Sequence, residues 1–103
     1  MLTMEQIQEA VVRVVKDFNA LYPSEKISKI SLFGSYAQQA ATEGSDVDLL
    51  VEFESAFVSY LSFGCLLTRL EEALKVSVDI VPAPVPSDSI ITIDAAVPLY
   101  EQV

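Results

Sequence analysis

The chain has 103 residues, of which 51% are hydrophobic, and its 15 acidic and 6 basic side chains give a net charge of −9 at neutral pH. This length suits one domain with a single modest core, and the apolar content excludes a disordered chain. Histidine is absent and there is one cysteine, which excludes imidazole bases, His-zinc sites, Ser-His-Asp triads and internal disulfides. Carboxylate and metal chemistry remain.

The acidic charge also limits the partners. A protein that binds a nucleic acid backbone needs clustered Lys and Arg, so we predict no direct nucleic acid binding, whereas a basic protein surface would be attracted. The N-terminal residues lack a signal-peptide pattern, and no segment is apolar over the ~20 residues that a membrane helix needs. We therefore predict a cytoplasmic protein with no membrane partner.

The first half of the chain alternates helix and strand patterns. A Thr-x-x-Gln capping signal opens a predicted helix over residues 3–21, whose apolar residues recur at helical spacing. A strand is predicted from Ile27 to Phe33, a short crossing helix from Tyr36 to Ala41, and a second strand from Asp46 to Phe53.

The second half continues with a long helix predicted from Phe57 to Leu74 and a third strand from Val76 to Val81. Prolines at positions 82, 84 and 86 should then bar regular structure, and Asp94 to Gln102 should close the chain with a helical turn. The pattern predicts one α/β domain over residues 1–103, with a small mixed β-sheet of three or more strands and helices packed on one side.

A Gly-Ser pair follows the first strand. Gly34 has no Cβ, so its backbone can approach a ligand closely, and the free N–H groups at the start of a helix attract anions. Ser35, as the helix cap, adds a hydroxyl group. The same pair can also serve only as a turn with a helix cap.

Two aspartates open the second strand. Because side chains alternate along a strand, Asp46 and Asp48 lie on one face, about 7 Å apart at Cα. A cation would relieve their repulsion, and their hard oxygen ligands suit Mg²⁺, two ions of which can clamp the attacking and leaving oxygens of a displacement at phosphorus. Acidic residues at a strand start can also be merely solvated.

The Gly-Ser pair and the two aspartates together are more specific than either motif alone. Gly34-Ser35, ten residues, and then Asp46-x-Asp48 opening an apolar strand resembles the signature of the nucleotidyltransferase superfamily that includes DNA polymerase beta. The surrounding LFGSYA and SDVDLLVEFE are similar to the minimal nucleotidyltransferase (MNT) group. The resemblance implies the nucleotidyltransferase fold, with the triphosphate at Gly34 and Ser35 and with Mg²⁺ at Asp46 and Asp48.

The family also uses a third carboxylate, on a neighbouring strand, which completes the metal site and helps to deprotonate the acceptor hydroxyl. Asp79 is the matching position, and alternation places it on the face opposite Val78 and Ile80. Glu52 is the rival, since it shares a face with Asp46 and Asp48 but lies further along the strand. We prefer Asp79.

The resemblance implies Mg²⁺-dependent transfer of AMP from ATP to a hydroxyl, a tyrosine of a HEPN-type ribonuclease toxin, with the chain as its antitoxin. Members commonly read Gly-Ser-Tyr-Ala-Arg-Gly, but here Gln38-Gln39 replace Arg-Gly, and neutral Gln cannot pair with phosphate as Arg does. The alternative is an inactive module with this fold that neutralises its partner by stoichiometric binding. The other faces of the second long helix carry apolar residues, Phe57, Tyr60 and Leu61. These either pack under a loop or form a partner interface, which allows a homodimer or a hetero-complex.

Overall fold

The computed structural model describes residues 2–55, 58–83 and 96–102. Its elements are, in chain order, α1 (Met4–Leu21), β1 (Ile27–Phe33), α2 (Gly34–Ala37), β2 (Val47–Phe53), α3 (Tyr60–Leu74), β3 (Val78–Ala83) and β4 (Val97–Glu101). The four strands form one sheet in the order β3-β2-β1-β4. Because β1 is antiparallel to β2 and β4 while β2 is parallel to β3, the sheet is mixed. The predicted α/β fold is confirmed.

Helix α1 begins with the capping box that the sequence predicted. The Thr3 hydroxyl accepts from the Gln6 N–H at 3.1 Å, and the Gln6 side chain accepts from the Thr3 N–H at 2.9 Å. Near its end, the Asn19 side chain accepts from the Ile27 N–H at 2.8 Å and so ties α1 to the first residue of β1. In the described ranges, no helix is both long and apolar enough to cross a bilayer.

The core lies between one face of the sheet, which we call the inner face, and the two long helices. Helices α1 and α3 pack against each other, and each presents one apolar stripe to the sheet. The fully buried side chains of this layer include Val11, Val15, Phe18, Ile30, Leu32, Val47, Leu49, Val51, Leu66 and Leu70.

The opposite face of the sheet, the outer face, carries the alternate residues. One row across β1, β2 and β3 is Phe33, Asp48 and Asp79, and the next is Ser31, Leu50 and Val81. Cross-strand partners point to the same face, so the two aspartates project side by side from adjacent strands. The sheet therefore separates an apolar layer from a face that carries carboxylates.

The two remaining helices differ from prediction at their ends. Helix α2 is a single turn, because residue 39 adopts a left-handed backbone with φ 58 that cannot continue a helix. Helix α3 begins at Tyr60, where the Ser59 hydroxyl accepts from the Ser62 N–H at 3.2 Å. The predicted start at Phe57 falls outside the described residues.

Two predictions about the C-terminal third are wrong. Pro82 lies within β3 instead of ending it, and edge strands tolerate proline because one side of their backbone is not bonded into the ladder. Residues 97–101 form β4 and not a helical turn, because the open edge of β1 offers them backbone partners. The prolines at 84 and 86 lie outside the described residues, and a single domain over the whole chain stays a prediction.

Candidate active site

Gly34 lies at the junction of β1 and α2, next to the Asp48 side chain. Its φ of 74 lies in the left-handed region, which residues with a side chain rarely adopt. A Cβ built on Gly34 would overlap Asp48 Oδ2 and would lie 3.0 Å from its Cγ and 3.3 Å from its Cβ. Both the backbone conformation and the available space therefore require glycine here.

The strand register explains why these two residues meet. Phe33, the last residue of β1, is the direct partner of Asp48 in β2, so the turn that follows Phe33 begins beside the carboxylate. Before β2, the Ser45 hydroxyl accepts from the Thr42 N–H at 2.8 Å and closes the turn that returns the chain to the sheet.

The predicted helix-cap role of Ser35 is not observed. The N-cap position is Phe33, and Ser35 lies inside the single turn of α2, where its carbonyl accepts from the Ala40 N–H at 2.8 Å. Ser35 is half-buried and still lies next to Gly34, beside the Asp48 carboxylate. The Gly-Ser pair is thus at the predicted place, but its hydroxyl does not cap the helix.

Asp48 and Asp79 are direct partners in the parallel ladder of β2 and β3. Asp48 is half-buried, whereas Asp46 and Asp79 are exposed. Burial raises the pKa of Asp48 above its usual value, and the charge and hydrogen bonding of Asp79, followed by the charge of Asp46, raise that pKa further. The site therefore holds negative charge that its own residues do not neutralise.

The rival carboxylate, Glu52, is not part of this group. It pairs with Lys29 on β1 and with Ala83 on β3, so it lies at the other end of β2. Four residues of strand place it about 13 Å from Asp48. The geometry therefore brings Asp79, and not Glu52, next to Asp48.

The donor set fits magnesium. Among the residues that the structure describes, no group of three or more His, Cys, Asp or Glu side chains is assembled as a metal site. Mg²⁺ does not require such a cage, since proteins usually hold it by one or two carboxylates together with water and substrate phosphates. The adjacent oxygens of Asp48 and Asp79, with their uncompensated charge, match that requirement.

The Gln38-Gln39 pair also affects the backbone, in a way that the sequence did not predict. Gln39 is in the left-handed region with φ 58, while Gln38 is exposed and its N–H donates to the Gly34 carbonyl at 3.1 Å. The available signal was the glycine at this position in the Gly-Ser-Tyr-Ala-Arg-Gly pattern of the group that the sequence resembles. The chain forms the left-handed turn here with a glutamine, a residue that does not favour it.

The sequence is similar to a known domain family and to several relatives. Residues 11–96 match the nucleotidyltransferase domain family. Protein adenylyltransferase MntA of Thermococcus cleftensis is 38% identical over 81 residues, which cover 79% of this chain and 78% of the relative. A candidate protein adenylyltransferase of Methanocaldococcus jannaschii is 37% identical over 82 residues, which cover 79% of each chain.

Solved structures share the fold. A chain in the crystal structure of a toxin-antitoxin with AMP-PNP superposes with a TM-score of 0.73 at 23% identity, over 92% of this chain and 73% of that one. A chain in the complex of tri-AMPylated Shewanella oneidensis HEPN toxin with MNT antitoxin gives a TM-score of 0.66 at 20% identity, over 97% and 74%. A candidate minimal nucleotidyltransferase is 35% identical, with a TM-score of 0.53, over 73% and 76%.

Proposed function

The chain belongs to the minimal nucleotidyltransferase (MNT) family and is a nucleotidyltransferase, and we propose that it transfers AMP from ATP to a hydroxyl group of a partner protein. The observation that carries the proposal is the Asp48 carboxylate seated against Gly34, with Asp79 beside it on the next strand. In this proposal the turn at Gly34 would receive the phosphates, next to two carboxylates that would hold Mg²⁺.

The nucleotide end of the site is Gly34 and Ser35. The Asp48 carboxylate fills the space that a Gly34 side chain would take, so a triphosphate would approach the N–H groups at the start of α2, and the Ser35 hydroxyl is a further donor to phosphate oxygen. Helix α2 has four residues, so the individual N–H groups of the turn, and not a helix dipole, would bind the phosphates.

The carboxylates Asp46, Asp48 and Asp79 would hold Mg²⁺, two ions in the full complex. When bound, Mg²⁺ neutralises charge on the phosphates and on the leaving pyrophosphate. Asp79, the exposed member on the edge strand, accepts the proton of the acceptor hydroxyl. The hydroxyl oxygen forms a bond to the α-phosphorus while the bond from that phosphorus to the bridging oxygen of pyrophosphate breaks.

The proposed acceptor is a tyrosine of a HEPN-type toxin, which makes the chain the antitoxin of the pair. Two observations support this choice. A solved complex of the same fold pairs an MNT antitoxin with a tri-AMPylated HEPN toxin. The net charge of −9 also suits a partner with a basic surface, in the cytoplasm where ATP is available.

The test is a transfer assay with ATP labelled at the α-phosphate, Mg²⁺ and the HEPN-type protein of the same genome. We expect label on a tyrosine of that protein, located by mass spectrometry, with catalytic amounts of the chain. Asp46→Asn and Asp48→Asn should abolish transfer while circular dichroism shows an intact fold. Retained transfer by both variants would contradict the proposed roles of the two aspartates in AMP transfer.

A second candidate function is neutralisation by binding alone. It is favoured by Gln38, which is exposed and neutral where related sequences carry an Arg that can pair with phosphate. An occluding module would silence the toxin only at one-to-one stoichiometry and without ATP or Mg²⁺. An enzyme would act below that ratio and would need both, so a titration of toxin activity separates the two.

A further inference from the structure

An apolar pair lies beside the carboxylates on the outer face. Leu50 of β2 and Val81 of β3 are direct partners, two residues further along the same strands than the Asp48 and Asp79 pair. Both are half-buried, and neither belongs to the core cluster beneath the sheet. Their Cα atoms lie about 7 Å from those of the aspartates, within reach of a ligand that spans both rows.

The direction of attack places the acceptor over β3, the strand that carries both Asp79 and Val81, an inference that rests on the proposed function. In phosphoryl transfer the attacking and leaving oxygens are roughly in line. If the pyrophosphate leaves on the Gly34 side, at the end of β1, the attacking hydroxyl comes from the opposite side, over Asp79 on β3. Helices α1 and α3 occupy the inner face, so the group that carries the hydroxyl must lie on the outer face.

We propose that Leu50 and Val81 form an acceptor platform, a surface that holds the polypeptide segment carrying the reactive hydroxyl. The platform selects an apolar side chain close to that hydroxyl, because such a side chain covers the two half-buried residues and leaves no polar group unpaired. Beyond the platform, Lys29 and Glu52 face each other across β1 and β2 and suit polar residues further along the segment.

The charges of this face favour a polypeptide over a nucleic acid. Among the described residues of this face, Asp48, Glu52, Asp79 and Glu101 outnumber Lys29, so a phosphate backbone would be repelled. A second copy of the chain, with a net charge of −9, would be repelled as well. A polypeptide with an apolar side chain and basic residues nearby would cover the platform and would be attracted by the negative charge around it.

The experiment compares three variants in the transfer assay, with the HEPN-type protein of the same genome as acceptor. Val81→Asp puts a charge on the platform, and Val81→Thr keeps the side-chain shape and the strand preference while it adds a hydroxyl. Leu21→Ser is the control, because Leu21 is 55% exposed at the last position of α1, a helix that packs on the inner face of the sheet. The readouts are KM for the acceptor, the calorimetric Kd for ATP with Mg²⁺, and the thermal midpoint.

We expect Val81→Asp to raise the acceptor KM at least tenfold and Val81→Thr to raise it about threefold, with kcat and the ATP Kd unchanged. Leu21→Ser should leave all of these values unchanged. An unaltered KM in folded Val81→Asp overturns the platform and leaves the proposed function standing, and a weakened ATP Kd overturns it too, since Val81 would then serve the nucleotide. If the unaltered chain binds ATP but transfers nothing, the proposed function itself is wrong.

Discussion

The Asp48 carboxylate lies against the Cα of Gly34 so closely that residue 34 can carry no side chain. The turn after β1 and the start of β2 are therefore one packed unit. A change at either residue moves the other, and this coupling is open to measurement.

Gly34→Ala should be destabilising, because the new Cβ overlaps Asp48 Oδ2 and the backbone has φ 74. We expect a loss of about 1–3 kcal/mol in the free energy of unfolding, measured in urea, together with loss of AMP transfer. Gly44→Ala is the matched control, since nothing lies within 4 Å of the position of its new Cβ. Equal losses in the two variants would contradict the overlap.

The overlap also predicts non-additivity. In an Asp48→Ala background the Cβ of alanine at residue 34 meets less obstruction, so only the cost of the left-handed backbone remains. The cost of Gly34→Ala should then fall by about 1 kcal/mol, which a double-mutant cycle would detect. An unchanged cost would mean that backbone conformation alone excludes a side chain.

Asp48 should make stability depend on pH in an unusual direction. Its pKa is raised by burial and by its carboxylate neighbours, so the folded state binds the proton more tightly than the unfolded chain does. Its contribution is then fully present below the ordinary aspartate pKa of about 3.9 and is lost as the pH rises through the raised value.

Asp48→Asn removes this ionisation. We expect the variant to exceed the native chain in stability at neutral pH, without Mg²⁺, by up to about 1 kcal/mol, because solvent screens a half-exposed carboxylate. The difference should vanish below the ordinary aspartate pKa. Urea unfolding across the acid range measures it, and a difference that grows with acidity would refute the sign.

Gln39→Gly should stabilise the fold, because glycine adopts the observed φ of 58 without steric cost. Removing the strain of the left-handed backbone stabilises the fold by about 1–2 kcal/mol. The greater freedom of glycine in the unfolded chain partly offsets this, so the free energy of unfolding should rise by about 0.5 kcal/mol. Gln38→Gly is the control, since Gln38 has φ −89 and gains nothing from glycine. The thermal midpoints of both variants measure this effect. A Gln39→Gly chain with a lower midpoint than the native chain would contradict backbone strain at residue 39.

The choice of the third carboxylate can be tested with a matched pair. Asp79→Asn should lower kcat for transfer by at least about 100-fold, because Asp79 is the direct partner of Asp48 and the proposed base. Glu52→Gln should change kcat less than about threefold, since Glu52 lies at the other end of β2. A reversed order of the two effects would assign the role to Glu52.

Local sequence patterns predicted most of the helices and strands, but they could not predict how the strands pair. The Thr3 capping box and the strand from Ile27 to Phe33 form as predicted, because neighbouring residues determine them. Alternation also put Asp79 on the correct face. That Asp79 stands directly beside Asp48 depends on the parallel register of β2 and β3, which no local pattern contains.

Where local and long-range influences disagreed, the long-range one decided. The local pattern predicts a closing helical turn from Asp94 to Gln102, yet residues 97–101 form β4 because the edge of β1 provides backbone partners. Conversely, Gln39 is a poor residue for a left-handed turn, and the chain adopts that turn because the crossing from α2 to β2 must reverse there. Both features follow from the closure of the sheet and not from propensity.

The central position of β1 has a consequence for folding. Its two neighbours come from very different distances along the chain, since Leu32 pairs with Leu49 on one side and with Val97 on the other. The nearer partner should dock first, because a short loop costs less entropy to close. Until β4 arrives, the strand that ends at the glycine turn presents an open backbone edge, and this interval is when the chain is most exposed to intermolecular strand pairing.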